Sequence, residues 1–467
     1  MDGRRIVVVE ANEVPRRLIE ELASAGRVPF LAAMIEDGTL VESTVTETLP
    51  RELYPSQTWA SMNSGVPFED HQIYWYGDPK PDRYPMYWQT AARAGRSVGL
   101  VNTLHSSPLA RQCADGDFRF VIPDCFSVDD DTIPSHYQRF QRVNRSLTGA
   151  NSRRAGLRPR PADLVDMARS VPQLGLQAES VAHLIRLVAG AAVRRTPTER
   201  LRCGQFLLHQ NLFMNLLDRH RPDLAVLFTN HVAAAMHRYW YALHPDDFGH
   251  QHYDARWIAR YRDEIPYALG LLDRFLERLH RWCFEHDRTL VIASSMGQGP
   301  SAILRSDVTH EAVVVDVPPF LRAMDIDHVV TEMGSMAPQL TLGCATAAVA
   351  ADVASRLADA DVGQVFWDVD GADAVVTLTC NIEVVDPETI RIGGARRQAE
   401  SAGIKVYAVD DHSSGRHTAH GILGVANSPT FKPPFDDNVD YLEFAPAMLQ
   451  HLGVPPVEHQ RMPGFEI

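Results

Sequence analysis

TLVIASSMGQGP, residues 289–300, joins an apolar run to a polar, glycine-containing end. Thr289 to Ala293 form an apolar run of the length and type of a buried strand, and Ser294, Ser295, Met296 and Gly297 follow where that strand ends. In open α/β sheets, ligands gather outside the carboxyl ends of the strands. The segment therefore puts two hydroxyls and a thioether at a position suited to catalytic chemistry.

Three further runs share this character: RIVVVEANE (5–13), SVGLVNT (97–103) and DLAVLFTNH (223–231), each apolar and each ending in polar residues. Between them lie segments such as YALGLLDRFLERLHRWCFEH (267–286), in which apolar residues recur at intervals of three and four, the period of an amphipathic helix. Continuous apolar strands alternating with helices predict a mostly parallel central sheet sandwiched by helices. That α/β core is expected to comprise residues 1–126, 221–300 and 409–467.

Two stretches depart from the pattern. Residues 127–220 read as a helical insertion that includes RVNRSLTGANSRRAGLRPRPADL (142–164), a basic segment without apolar period that is expected to be a loop or a lid over an anion. Residues 301–408 read as a small α+β insertion, with AAVAADVASRLADA as a helix and QVFWDV, AVVTLTCNIEVV and TIRIGG as strands.

The 467 residues are 45% hydrophobic and 22% charged, which fits a folded chain with a large core. A formal charge of −14 argues against nucleic acid or an anionic membrane as the main partner, since both are bound through clustered cations. The six cysteines lie far apart with no metal-binding or disulfide-scaffold spacing, so they read as reduced packing residues. The first apolar run spans only Ile6 to Val9, too short for a signal segment or a membrane span, and the expected location is the cytoplasm.

The order of motifs resembles the alkaline phosphatase superfamily, and within it the type I phosphodiesterase/nucleotide pyrophosphatase group. The resemblance rests on the first strand with VPFLAAMIEDGTLVES, on YPSQTWASMNSGVPFEDHQI (54–73), LAVLFTNHVAAAMHRYW and TLVIASSMGQ, on RHTAHGILGVANSP, and on the closing DNVDYLEFAPAMLQHLGVPPVEHQRMPGFEI. It implies an alkaline phosphatase-like fold and chemistry on phosphate esters at two metal ions, usually zinc, that polarise the phosphoryl group and activate a Thr or Ser nucleophile.

Carried over residue by residue, the pattern departs from the family's metal site. Glu10 stands for the first-strand Asp, and Ala233 for the Asp that precedes the retained His237 by four. Ser295 and Met296 stand for the Asp-His pair of a Ser-Asp-His-Gly motif, and His417 is retained. Thr58 and then Ser56 are the nucleophile candidates; helix capping explains both hydroxyls equally well.

The expected catalytic set is thus Thr58, Ser56, Glu10, His237 and His417, with Glu10 and a histidine as an acid/base pair. Asn12, Asn230, Arg416 and Trp75 are the substrate-binding candidates, Arg416 as an anion clamp and Trp75 as a stacking ring. Glu10, His237, His417 and His231 are expected to hold at most one divalent metal, zinc first, or none. His412 and His420 lie nearby in sequence, and a two-metal centre is not expected.

The reading that follows is a phosphodiesterase- or phosphatase-like enzyme acting on a small phosphate- or ester-containing molecule, by hydrolysis or group transfer. Two alternatives share the fold: a metal-independent transferase or lyase of a specialised biosynthetic pathway, and a non-catalytic ligand-binding protein.

Overall fold

Among the described residues, seven strands precede residue 301: β1 (Arg5–Ala11), β2 (Leu40–Thr44), β3 (Val98–Val101), β4 (Phe118–Ile122), β5 (Leu224–Thr229), β6 (Arg288–Ala293) and β7 (Gly297–Pro300). Residues 309–408 add β8 (His310–Val314), β9 (Val330–Met333), β10 (Gln339–Cys344), β11 (Gly363–Asp370), β12 (Asp373–Cys380), β13 (Val384–Asp386), β14 (Thr389–Ile392), β15 (Ala395–Gln398) and β16 (Ile404–Ala408). The chain closes on β17 (Gly415–Thr418), β18 (His420–Ala426) and β19 (Asn438–Asp440). These assignments come from a computed structural model that describes residues 4–49, 52–149, 161–193, 197–249, 252–302, 309–333, 335, 339–370, 373–408, 413–434 and 437–467.

Eight strands form the central sheet in the order β19-β2-β18-β6-β1-β5-β3-β4. Only β18 runs against its neighbours, pairing antiparallel with both β6 and β2; the β1, β3, β4, β5 and β6 pairings are parallel. The four runs singled out in the sequence are thus adjacent, as β6-β1-β5-β3, and the sheet is mostly parallel with helices on both faces.

Alternation along β1 shows how the layers are filled. Val7 and Val9 join Leu18, Leu269 and Phe275 on one face, while Ile6 and Val8 join Trp59, Tyr87 and Trp88 on the other. Val7, Val8 and Val9 are all fully buried, each contributing about 1.5–3 kcal/mol of burial free energy. Register aligns the carboxyl ends: Ala11 lies beside Thr229, and Glu10 beside Ala293. Asn12, Glu13, Asn102, Asn230, Ser294 and Ser295 therefore leave the sheet along one edge.

The 301–408 stretch contains a core of its own, with Phe320, Leu342, Val353, Leu357 and Val376 buried between the Ala347–Asp359 helix and the sheet β11-β12-β10-β9. Helices of 127–220 instead share the main core: Phe140, Leu174, Leu187 and Phe206 pack into the face that holds Val7 and Val9.

The expected loop over 142–164 needs correction. Residues up to 149 continue the Gln138–Gly149 helix, and a second helix, Pro161–Ser170, starts at its far end. The first is held by Phe140 and Val143, both buried, three residues apart. Arg142 and Arg145 are tied to Asp130, and Arg142 also to Asp166. The rest of the basic segment, 150–160, lies outside the described residues. No described helix is long and apolar enough to cross a membrane.

Candidate functional site

Beyond Ala11 the chain turns sharply, with Glu13 at φ 61, a left-handed conformation that costs a non-glycine residue about 1 kcal/mol or more. Two contacts impose it. Asn12 N donates to Thr229 O at 3.0 Å, and the Ser294 hydroxyl donates to Ala11 O while accepting from Val14 N at 3.1 Å. Ser294 is therefore a clip between β6 and the turn, which accounts for one of the two serines at the strand end. The clipped turn aims the Glu13 carboxylate across the end of the sheet, where Glu13 is 2% exposed.

Two imidazoles meet it there. His237 lies on the His231–Leu243 helix that follows β5, and His417 lies on β17, which pairs with β7 so that His417 stands opposite Gln298. Glu13 Oε2 is 3.0 Å from His237 Nε2 and 3.4 Å from His417 Nε2, and the candidate ligand atoms of the three residues all lie within 4.8 Å of one another. The two rings meet edge to face, 5.0 Å between centroids.

The backbone fixes which nitrogen faces Glu13. His237 Nδ1 lies 3.1 Å from Gly415 O and His417 Nδ1 lies 2.6 Å from Leu53 O. A carbonyl only accepts, so each Nδ1 carries a proton, and in the neutral ring each Nε2 is a lone pair. Two lone pairs and a carboxylate oxygen thus converge, and they need either a proton or a cation between them.

The electrostatics agree. Burial would raise Glu13, but His417 and His237 outweigh it and hold the carboxyl well below the usual range. Burial would lower His417, but the Glu13 charge, with Leu53 O on Nδ1, outweighs it and raises the imidazole. The carboxylate is also held from behind: Asn12 Nδ2 donates to Oε1 at 2.7 Å, and Gln298 Nε2 donates to Oε2. Asn12 is itself fixed by Trp59 Nε1, which donates to its Oδ1 at 2.8 Å, and by donation to Asn230 Oδ1 at 2.7 Å.

This group fits a divalent transition metal. Ligand atoms on a tetrahedral zinc at about 2.0–2.1 Å stand roughly 3.3 Å apart, close to the two Glu13–imidazole separations. His417 Nε2 is buried and has no hydrogen-bond partner. Imidazole and carboxylate donors suit zinc, and the backbone acceptors on both Nδ1 atoms are the outer contacts that orient metal-binding histidines. The His237 side chain is 30% exposed, which leaves one side open.

The other expected site residues lie apart from this group. Glu10 is the main correction: as an even-numbered residue of β1 it projects with Ile6 and Val8 onto the opposite face from Val7 and Val9. There it is fully buried and accepts from Asn63 Nδ2 at 3.0 Å. Burial pushes its carboxyl up to about 8, against the smaller opposing effect of Asn63. The carboxylate that meets the histidines is Glu13, three residues on.

His231 is also removed from the ligand set. Its Nε2 donates to Ala268 O at 3.0 Å, its Nδ1 accepts from Thr229 Oγ1 at 2.7 Å, and its ring stacks on Phe206 at 3.9 Å. Burial lowers it to about 3, so it is a neutral packing histidine. His420 is exposed and paired with Glu42, and His412 lies outside the described residues.

Thr58 and Ser56 sit on the Pro55–Ser64 helix, buried along its whole length. Ser56 Oγ donates to Tyr74 O. Thr58 Oγ1 lies 3.3 Å from Tyr54 O and 2.8 Å from Ser295 Oγ, which accounts for the second serine. Neither hydroxyl bonds to a base, the arrangement an activated nucleophile needs. Arg416 is exposed and, as the strand neighbour of His417, projects from the other side of β17. Trp75 is buried edge-on to Tyr54, whose ring in turn meets His417 at 5.7 Å. Ala233, where the resemblance expects an Asp, presents its carbonyl to Gln298 Nε2 at 3.2 Å.

Gln298 was not legible as a site residue, because only the β7–β17 pairing brings it under Glu13. Glu13 itself carried a signal: in EANE the second carboxylate follows the last paired strand residue, where the chain is free to turn.

No protein-family model matches the chain, and no curated protein matches it. Solved structures similar to it include phosphonoacetate hydrolase from Sinorhizobium meliloti 1021 in complex with phosphonoformate, 14% identical over 97% of this chain and 96% of that one, with a TM-score of 0.42. Murine ectonucleotide pyrophosphatase/phosphodiesterase 5 is 12% identical over 98% of this chain and 97% of that one, with a TM-score of 0.40.

Proposed function

We propose that Glu13, His237 and His417 hold a single divalent metal, zinc first, and that the protein acts there on a small phosphate or related ester by hydrolysis or group transfer. The observation that carries the metal is the convergence of two imidazole lone pairs and a buried carboxylate, each fixed from behind by a backbone carbonyl or an amide side chain. The motif order of the sequence directs the choice of substrate class.

When bound, such an ion polarises a phosphoryl oxygen and acidifies a coordinated water. The chain's own part is preorganisation. Asn12 and Gln298 hold both oxygens of Glu13, so the carboxylate does not swing as charge at the site changes. Leu53 O and Gly415 O keep the protons of His417 and His237 on Nδ1. Thr58 and Ser295 occupy each other's hydroxyls, which favours water or a substrate hydroxyl as the attacking group.

A panel of aryl phosphate mono- and diesters, phosphonates and sulfates, assayed with zinc, with manganese and with chelator, tests this reading. It predicts metal-dependent turnover lost in His237→Ala and retained in Thr58→Ala. Turnover unaffected by chelator would instead favour metal-free acid–base use of the Glu13–His417 pair. No turnover under any condition would leave a binding protein.

A further inference from the structure

The Ala178–Ala192 helix of the 127–220 stretch is anchored along one side. Ser180, Leu187 and Ala191 are buried there, Asn211 Nδ2 donates to Ser180 Oγ at 2.8 Å, and His183 Nε2 lies 2.6 Å from the Tyr267 hydroxyl. The other side faces outward and is almost wholly apolar. Val181, Ile185 and Val188 keep 38%, 62% and 60% of their surface exposed, in the i, i+4, i+7 row that a helix ordinarily turns toward a core. Ala182, Ala189 and Ala192 are exposed beside them, and side chains this small let a second helix come close. Single exposed apolar residues need no explanation, but a contiguous row of them on an anchored helix marks an interaction surface.

The charges on this surface say what fits it. Glu179 and Arg186 stand seven residues apart, so they lie in one row along the same edge of the apolar stripe, about 10.5 Å apart along the axis. Among the described residues neither forms an ion pair within the chain; Arg186 Nε donates to Ala182 O of its own helix at 3.3 Å. A row that reads acid and then base is complementary to itself when reversed. A two-fold axis perpendicular to the helix sets the row against its own copy running the other way, so that Glu179 of each chain meets Arg186 of the other. A parallel pairing would instead set the row against the opposite edge of the stripe, where Val181 and Val188 stand, and both charges would go unmatched.

Two quantities limit the strength of such a contact. One helix face offers less than the roughly 800 Å² per partner of a standard interface. Each copy also carries a formal charge of −14, which opposes association at long range. The pairing is therefore weak and reversible.

We propose that the Ala178–Ala192 helix is the contact through which two copies of this chain pair antiparallel, about a two-fold axis near Ala182 to Ile185. Val181, Ile185 and Val188 pack across the axis, and Glu179 and Arg186 are exchanged along one edge. This does not depend on the metal centre or on the ester reading. Sedimentation equilibrium of the full chain from ~5 to ~500 µM tests it, with a monomer–dimer midpoint expected at ~10–300 µM. Ile185→Glu, at an exposed position, is expected to leave thermal unfolding unchanged and to weaken the dimer about tenfold or more. Glu179→Arg and Arg186→Glu are each expected to weaken it about threefold or more, and the two together to restore it to within about twofold of the parent.

A chain that stays monomeric at every concentration, or a dimer unchanged in Ile185→Glu, would overturn the proposal. So would a double variant as weak as the single ones, because only reversed copies of the row regain their pairs when both charges are swapped.

Discussion

Replacing Glu10 by Gln removes a carboxyl that the fold keeps protonated, and its effect on stability follows from burial. Glu10 has no exposed surface, its Oε2 has no hydrogen-bond partner, and its folded pKa stands near 8 against an ordinary 4.5. A raised carboxyl pKa costs nothing below the unfolded value. Above it the unfolded chain releases a proton that the folded chain keeps, and the penalty grows until the folded carboxyl ionises too. At pH 7 the gap is about 2.5 pH units, worth roughly 3 kcal/mol; by pH 8 it approaches roughly 5 kcal/mol and then levels off.

Glu10→Gln keeps the bond from Asn63 and carries no charge at any pH. Denaturant midpoints at pH 5, 6, 7 and 8 should therefore show the variant gaining on the parent by roughly 1 kcal/mol per pH unit, the gain flattening as the pH passes 8. Other titrating groups are common to both proteins and cancel in the difference. A stability difference that does not change with pH, or a variant less stable at pH 7, would refute the assignment of Glu10 as a neutral buried carboxyl. Metal content should not change in this variant.

Further outcomes concern the residues around the centre. Asn12→Ala and Gln298→Ala should each weaken metal affinity about 10–100-fold, read by competition with a zinc chelator, because they orient Glu13 rather than ligate. His231→Phe should leave metal affinity unchanged and cost about 1–2 kcal/mol of stability in thermal or denaturant unfolding, through the lost bonds to Ala268 and Thr229. Gly77→Ala should cost about 1–3 kcal/mol in denaturant unfolding, since the added methyl forces the loop away from Thr341.

The four apolar runs were legible because buried parallel strands are apolar throughout, and their polar ends marked the right edge of the sheet. The face on which a residue lands is less legible. Glu10 and Glu13 both follow the same valines, but strand pairing persists through Ala11, so Glu10 is committed to the face of Ile6 and Val8 while Glu13 turns over the edge. His231 and His237 share a helix and differ in fate: the first is drawn under Phe206, the second reaches β17. Gln298 depends on a pairing between β7 and β17, segments separated by more than a hundred residues, which no local pattern announces. The helix over 138–149 was obscured by its arginines, although Phe140 and Val143 already carried the buried spacing.

Whether Glu13, His237 and His417 hold an ion is read from the metal stoichiometry of the protein purified without an affinity tag, by mass spectrometry of the elements and by zinc titration. One ion per chain is expected, with affinity reduced more than ~100-fold in His417→Ala and in Glu13→Gln and unchanged in Glu10→Gln and His231→Phe. No bound ion at saturating zinc, or an ion whose affinity follows Glu10 rather than Glu13, would contradict it.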